Sequence, residues 1–186
     1  MMVLNEQKFH VKDMGYTIRP AQVGDAAQLS EVRLQIDGET ENMDREKGEG
    51  FIDIAGFERL IEEDANHPRN LFLVAESHGR ILGFSRCESS HLKRSLHKVE
   101  FGVGVLKEYW GRSIGRNLLN ESIGWAKSNG IKKIVLYVLE ENQKAVALYE
   151  KMGFETEGIL KNDKFLSDGK FHHTLIMGNL LHESGK

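Results

Sequence analysis

The sequence predicts a mixed α/β fold: a sheet with helices packed on it. Three observations carry this. Strand-like and helix-like segments alternate through the second half, a pattern that favours helices laid on a sheet. A pair of apolar runs joined at His78-Gly79 reads as a β-hairpin ahead of them. Two amphipathic runs each stop at a glycine, Gly130 and Gly153, the usual residue after a helix end.

The elements follow in order. YTIRPA, residues 16–21, alternates as a short strand. The next run carries Ala26, Leu29, Val32 and Ile36 at helical spacing, with Asp25 as its expected cap. DGETENMDREKGEGF is polar and glycine-bearing, hence a loop, and FERLIEEDA is a second, shorter helix. NLFLVAES and RILGFSRCES form the hairpin; HLKRSLHK connects it to VEFGVGVL, a strand whose glycines suit a bulge or a close backbone approach. Residues 113–129 are a helix with Ile114, Leu118, Leu119, Ile123, Trp125 and Ala126 on one half of the wheel. IKKIVLYVL is a buried strand, NQKAVALYEKM a helix, and FETEGIL and KFHHTLIMGNLL are further strands.

A chain of 186 residues suits one domain with a sizeable core, here expected over residues 15–186, with 1–14 as an N-terminal tail or extension. The apolar fraction of 40% and charged fraction of 28% are those of a soluble globular protein. A formal charge of -3 argues against bulk attraction to nucleic acid. Cys87 has no partner for a disulfide, which favours a reducing cytoplasm. The first residues are too polar for a signal peptide, and no run approaches the ~20 apolar residues of a membrane span. No metal-ligand spacing is present. His172 and His173 are adjacent, so on a strand they face opposite ways and cannot grip one metal together.

The stretch KEYWGRSIGRNLL places two glycines, a serine and two arginines at the mouth of a helix. Helix N-termini carry about half a positive charge and unpaired N–H groups. Small residues let a ligand approach them, and Arg112 and Arg116 add charge, so the site suits a phosphate or diphosphate. A plain strand–helix turn is the alternative. Neither a phosphate-binding loop ending in Gly-Lys-Ser/Thr nor a G-x-G-x-x-G dinucleotide fingerprint is present.

VEFGVGVLKEYWGRSIGRNLL resembles the acetyl-coenzyme A motif of the GNAT acetyltransferase superfamily: a strand, then Q/R-x-x-G-x-G/A, then a helix. ENQKAVALYEKMGFETEG resembles the next motif of that superfamily, in the usual order and at the usual separation. Trp110 stands in place of Gln or Arg, and Ser113 in place of the first glycine. The resemblance implies a central, mostly antiparallel mixed sheet flanked by helices, with two splayed strands forming an acetyl-CoA cleft. It implies that amides of Gly111, Arg112, Ser113, Ile114, Gly115 and Arg116 hold the diphosphate. Val103, Gly104 and Val105 would offer backbone groups to the pantetheine arm, with Asn142 and Tyr149 further along it. It implies an N-acetyltransferase that transfers acetyl from acetyl-CoA, a cosubstrate, directly to an amine in a ternary complex, with a homodimer as a common assembly and no metal.

The chemistry sets the roles. A lysine-like amine of pKa ~10.4 is neutral in roughly one molecule in 2,500 at pH 7, so a base must take its proton. The leaving thiolate, of pKa ~8.5, gains from an acid still protonated at pH 7, which a tyrosine is. Tyr149 is the candidate acid, at the position where the resembled family carries it; a packed aromatic is the alternative, as a simple N-cap is for Asn142. Glu100 is the candidate base, directly or through water; a solvent-facing strand glutamate is its alternative. The run Gly169, Phe171, His173 and Met177 resembles the branch of spermidine and ribosomal-protein N-terminal acetyltransferases, with His173 in place of an aspartate. A non-catalytic coenzyme-A-binding or interaction domain on the same fold is the competing reading, and a nucleotide-binding α/β protein a third.

Overall fold

The computed structural model describes residues 5–181. A single eight-stranded sheet runs in the order β1-β2-β3-β4-β5-β6-β8-β7. Its strands are β1 (Gln7–Val11), β2 (Met14–Pro20), β3 (Leu71–Ser77), β4 (Arg80–Ser89), β5 (Lys98–Val105), β6 (Lys133–Leu139), β7 (Glu155–Phe165) and β8 (Phe171–Leu180). Helices α1 (Ala26–Glu39) and α2 (Ile54–Asn66) cover one face; α3 (Ile114–Ser128) and α4 (Gln143–Lys151) cover the other. All neighbouring strands are antiparallel except β5 and β6.

Strand β3 is central, and Leu71 to Ala75 is buried throughout. Alternate side chains serve different layers. Leu71, Leu73 and Ala75 join Leu118, Leu119 and Trp125 beneath α3, while Phe72 and Val74 join Leu29, Ile36 and Phe57 beneath α1 and α2. Each such aliphatic burial contributes about 1.5–3 kcal/mol, so strand and helices stabilise one another. Asp64 of α2, 3% exposed, takes Arg86 of β4 at 2.9 Å and Asn70 at 2.7 Å, a paired charge that pins α2 to the sheet. Close contact also needs glycine at 83, where a Cβ would lie 2.7 Å from the carbonyl oxygen of Gly104.

Several expectations change at element ends. The tail-or-extension boundary at residue 14 cuts through a hairpin, because Gln7–Val11 pairs with Met14–Ile18. Asp25 precedes α1 but makes no side-chain cap; Arg19 holds its carboxylate at 2.8 Å. Asp37, Gly38 and Glu39 continue α1 rather than opening the loop, since buried Asp37 is held by Arg45. Residues 161–165 extend β7 beyond the expected strand. On α3, Ile123 is only half-buried and Ser122 fully buried, its hydroxyl donating to Leu118 O at 2.8 Å.

Candidate active site

The parallel β5–β6 ladder has only three rungs, ending at Glu100 opposite Val135. Beyond it the strands diverge. Lys132 N–H donates to His97 O at 2.8 Å on the β6 side, and Leu106 N–H to Leu82 O at 2.9 Å on the β4 side. Backbone groups alternate along a strand, so the odd residues Phe101, Val103 and Val105 turn their amides and carbonyls into the gap. Even-numbered Gly104 turns its own toward β4. This corrects its expected role as a backbone contact for the arm: a Cβ at 104 would sit 3.2 Å from Ile36 Cδ1, so this glycine makes room for α1. Gly102, in contrast, faces open space.

At the outer end of the gap lies the loop into α3. Gly111 has φ +76° and Ser113 φ +61°, the left-handed region that serine rarely adopts. The first helical N–H to find a partner is that of Asn117, donating to Ser113 O at 2.9 Å. The amides of Ile114, Gly115 and Arg116 therefore have no intrahelical acceptor, although the Ile114 side chain is buried in the core. A Cβ at Gly111 would meet nothing within 4 Å. Free N–H groups, a helix dipole and Arg116 at an open surface are features that attract an anion; Arg112 is ion-paired with Asp13. Trp110 does not leave its position without a contact: its Nε1–H donates to Val105 O at 2.8 Å.

On the α3–α4 side of the gap stands Tyr149. Its ring is 8% exposed, 5.8 Å from that of Phe154. No hydrogen bond to its phenol is present among the described residues, and burial pushes it up to about 12. Asn142 caps α4, its Oδ1 accepting from Ala145 N at 3.4 Å.

Glu100 emerges on the opposite face. It stands across from Glu88 on β4 and lines a cavity of about 230 Å³ with Glu88, Lys98, Val135 and Tyr137. Its side chain reaches solvent, yet partial burial, then Glu88 and Asp44, raise its pKa above the usual glutamate value, opposed by Lys98. Tyr137, 48% exposed, was not singled out by sequence; its place inside an apolar strand run conceals that its face is uncovered. The Asp44–Lys164 ion pair and a Ser167 N–H bond to Glu41 of 2.9 Å tie loop residues 40–53 to the end of β7 and the turn after it.

Other candidates lie elsewhere. Nε2 of His172 meets Asp168 at 3.0 Å and Nδ1 lies 2.8 Å from Glu141, an ionic contact whose N–H direction misses the carboxylate. His173 Nδ1 accepts from Asn162 N at 3.0 Å. Cys87 is buried, its thiol pushed up to about 12 by desolvation. Among the described residues no group of three or more His, Cys, Asp or Glu is placed to hold a metal ion, and no helix is long and apolar enough to cross a membrane.

The sheet thus parts between its two parallel strands, with helix N-terminal amides at the mouth of the gap. The model of the acetyltransferase (GNAT) family matches residues 39–154, and the chain belongs to that family. It is 32% identical over 94 residues to an uncharacterized N-acetyltransferase of Methanocaldococcus jannaschii, covering 48% of this chain and 41% of that protein. The chain spans well under half the length of the curated relatives it matches. A GNAT-family acetyltransferase structure from Streptococcus pneumoniae superposes with a TM-score of 0.86 at 30% identity, covering 89% of this chain and 99% of that one. A putative acetyltransferase from Salmonella typhimurium, solved with its cofactor acetyl-CoA, shares the fold with a TM-score of 0.80 at 21% identity, over 92% and 96% of the two chains.

Proposed function

We propose that this chain is an acetyl-CoA-dependent N-acetyltransferase that acts on a primary amine by direct transfer in a ternary complex. The carrying observation is the divergence of β5 and β6 beyond Glu100 and Val135, with unpaired amides waiting at its mouth. The residues fit the coenzyme: amides 111–116 for its diphosphate, and the gap-facing amides and carbonyls of Val103 and Val105 for the amides of its arm, less the Val105 carbonyl taken by Trp110.

When bound, acetyl-CoA supplies an activated thioester. The chain supplies the proton transfers. Glu100 takes the proton lost by the amine as nitrogen bonds to the acetyl carbon and the carbon–sulfur bond breaks. The raised pKa of Glu100 makes it a stronger base than an ordinary carboxylate. Tyr149 faces the departing sulfur from the other side of the gap. Full transfer from a phenol near 12 to a thiolate near 8.5 is uphill by about 5 kcal/mol. Tyr149 therefore acts chiefly by donating a hydrogen bond as charge builds on sulfur. Base and acid thus stand on opposite faces of the sheet, and the amine enters from the face bearing Glu88, Glu100 and Tyr137, where carboxylates favour a cation.

Thiol release from acetyl-CoA across a panel of alkyl amines, amino acids and peptides tests this reading. Amine-dependent release is expected. Coenzyme binding with no release for any amine would leave a coenzyme-A-binding domain.

A further inference from the structure

The anion cradle is braced by a residue outside its own motif. Tyr16, on β2 and 3% exposed, stacks on Phe9 with ring centroids 5.5 Å apart. Its phenol oxygen accepts from Asn117 Nδ2 at 2.7 Å and donates to Arg112 O at 3.3 Å. Asn117 in turn closes the first backbone bond of α3 on Ser113 O. One buried hydroxyl is therefore tied to both the loop and the helix that it opens.

Peptide geometry gives this contact a consequence. In a trans peptide the carbonyl of one residue and the N–H of the next point to opposite sides. Drawing Arg112 O toward β2 turns the Ser113 N–H to the opposite side. Ser113 holds φ +61°, a conformation that surrounding contacts must impose on a serine. Burial raises the phenol pKa of Tyr16, with Asn117 opposing, so the hydroxyl keeps the proton it donates. The same hairpin sends Asp13 to the Arg112 guanidinium, holding side chain and backbone of one residue together.

We infer that Tyr16 is a positioning residue for the diphosphate: it fixes the 112–113 peptide so that the Ser113 N–H faces the anion. The inference rests on reading 111–116 as the coenzyme cradle. Calorimetric titration with coenzyme A and with pantetheine, which shares the arm but lacks the diphosphate, separates the two ideas. The wild-type chain is expected to bind coenzyme A more tightly than pantetheine. Tyr16→Phe is expected to lose about ten-fold in coenzyme A affinity, in the range of one hydrogen bond to a charged group, with pantetheine affinity unchanged. Asn117→Leu, which removes the bond that orients the phenol toward Arg112 O, is expected to show a smaller loss with the same selectivity and serves if Tyr16→Phe does not fold. Equal weakening of both ligands, or no weakening, would overturn the role of Tyr16 alone. A wild-type chain that does not prefer coenzyme A over pantetheine would overturn the cradle, and this inference with it.

Discussion

The indole N–H of Trp110 donates to the carbonyl oxygen of Val105 across 2.8 Å, tying the loop before α3 to the end of the strand it leaves. The residue that stands in place of the family's Gln or Arg thus carries a bond that sets the loop's path. Trp110→Phe keeps the ring and removes the donor. It should cost about 0.5–1.5 kcal/mol of stability and raise the KM for acetyl-CoA. Thermal unfolding and initial-rate kinetics measure both, and an unchanged KM would show that the bond does not shape the cradle.

Gly115 stands in the first turn of α3, and a Cβ there would meet only Val105 Cγ2, at 3.9 Å. Gly115→Val should therefore fold, since valine is a better helix former than glycine, while its methyl groups fill the space above the free amides. Coenzyme affinity should fall at least ten-fold with the melting temperature held or raised. Titration calorimetry checks this; undiminished affinity would place the diphosphate elsewhere.

The phenol of Tyr149 has no hydrogen-bond partner among the described residues, so its removal leaves nothing unsatisfied. Tyr149→Phe should leave stability nearly unchanged or slightly improved. Its turnover should drop by about 10²–10³, the usual contribution of a positioned hydrogen-bond donor to developing charge, with acetyl-CoA affinity within about three-fold. A loss of affinity without a loss of kcat would assign the hydroxyl to coenzyme binding and not to catalysis.

Glu100 has a raised folded-state pKa through partial burial, Glu88 and Asp44. Folding thus prefers its neutral form. The resulting penalty is absent below the ordinary value of 4.5 and grows as pH rises through the raised one. Glu100→Gln should raise the melting temperature at pH 7 and not at pH 4. The same substitution should abolish the rise of kcat/KM with pH that follows loss of the Glu100 proton. A wild-type rise that survives the substitution would assign the base to another group.

Much of this was legible in the sequence because it rests on local signals. The stops at Gly130 and Gly153 and the small residues around 111–115 mark helix ends and the turn into α3 within a few positions. Asn142 and Tyr149 share a helix face by spacing alone. Other features depend on long-range contacts that local spacing does not carry. Strand β1 is short and mostly exposed, so its weak apolar pattern shows only once it pairs with β2. Gly104 looks like Gly102 in sequence; only the packing of Ile36 separates them. Tyr16 acts on Arg112, 96 positions away, and Tyr137 lies in an apolar run whose outer face the helices leave bare.

The structure of the chain with acetyl-CoA bound tests the central claim most directly. The account predicts the diphosphate within hydrogen-bonding distance of amides 111–116, and the thioester in the gap between β5 and β6 with Tyr149 on one side and Glu100 on the other. A coenzyme seated on a different surface, with that gap closed by protein, would contradict it.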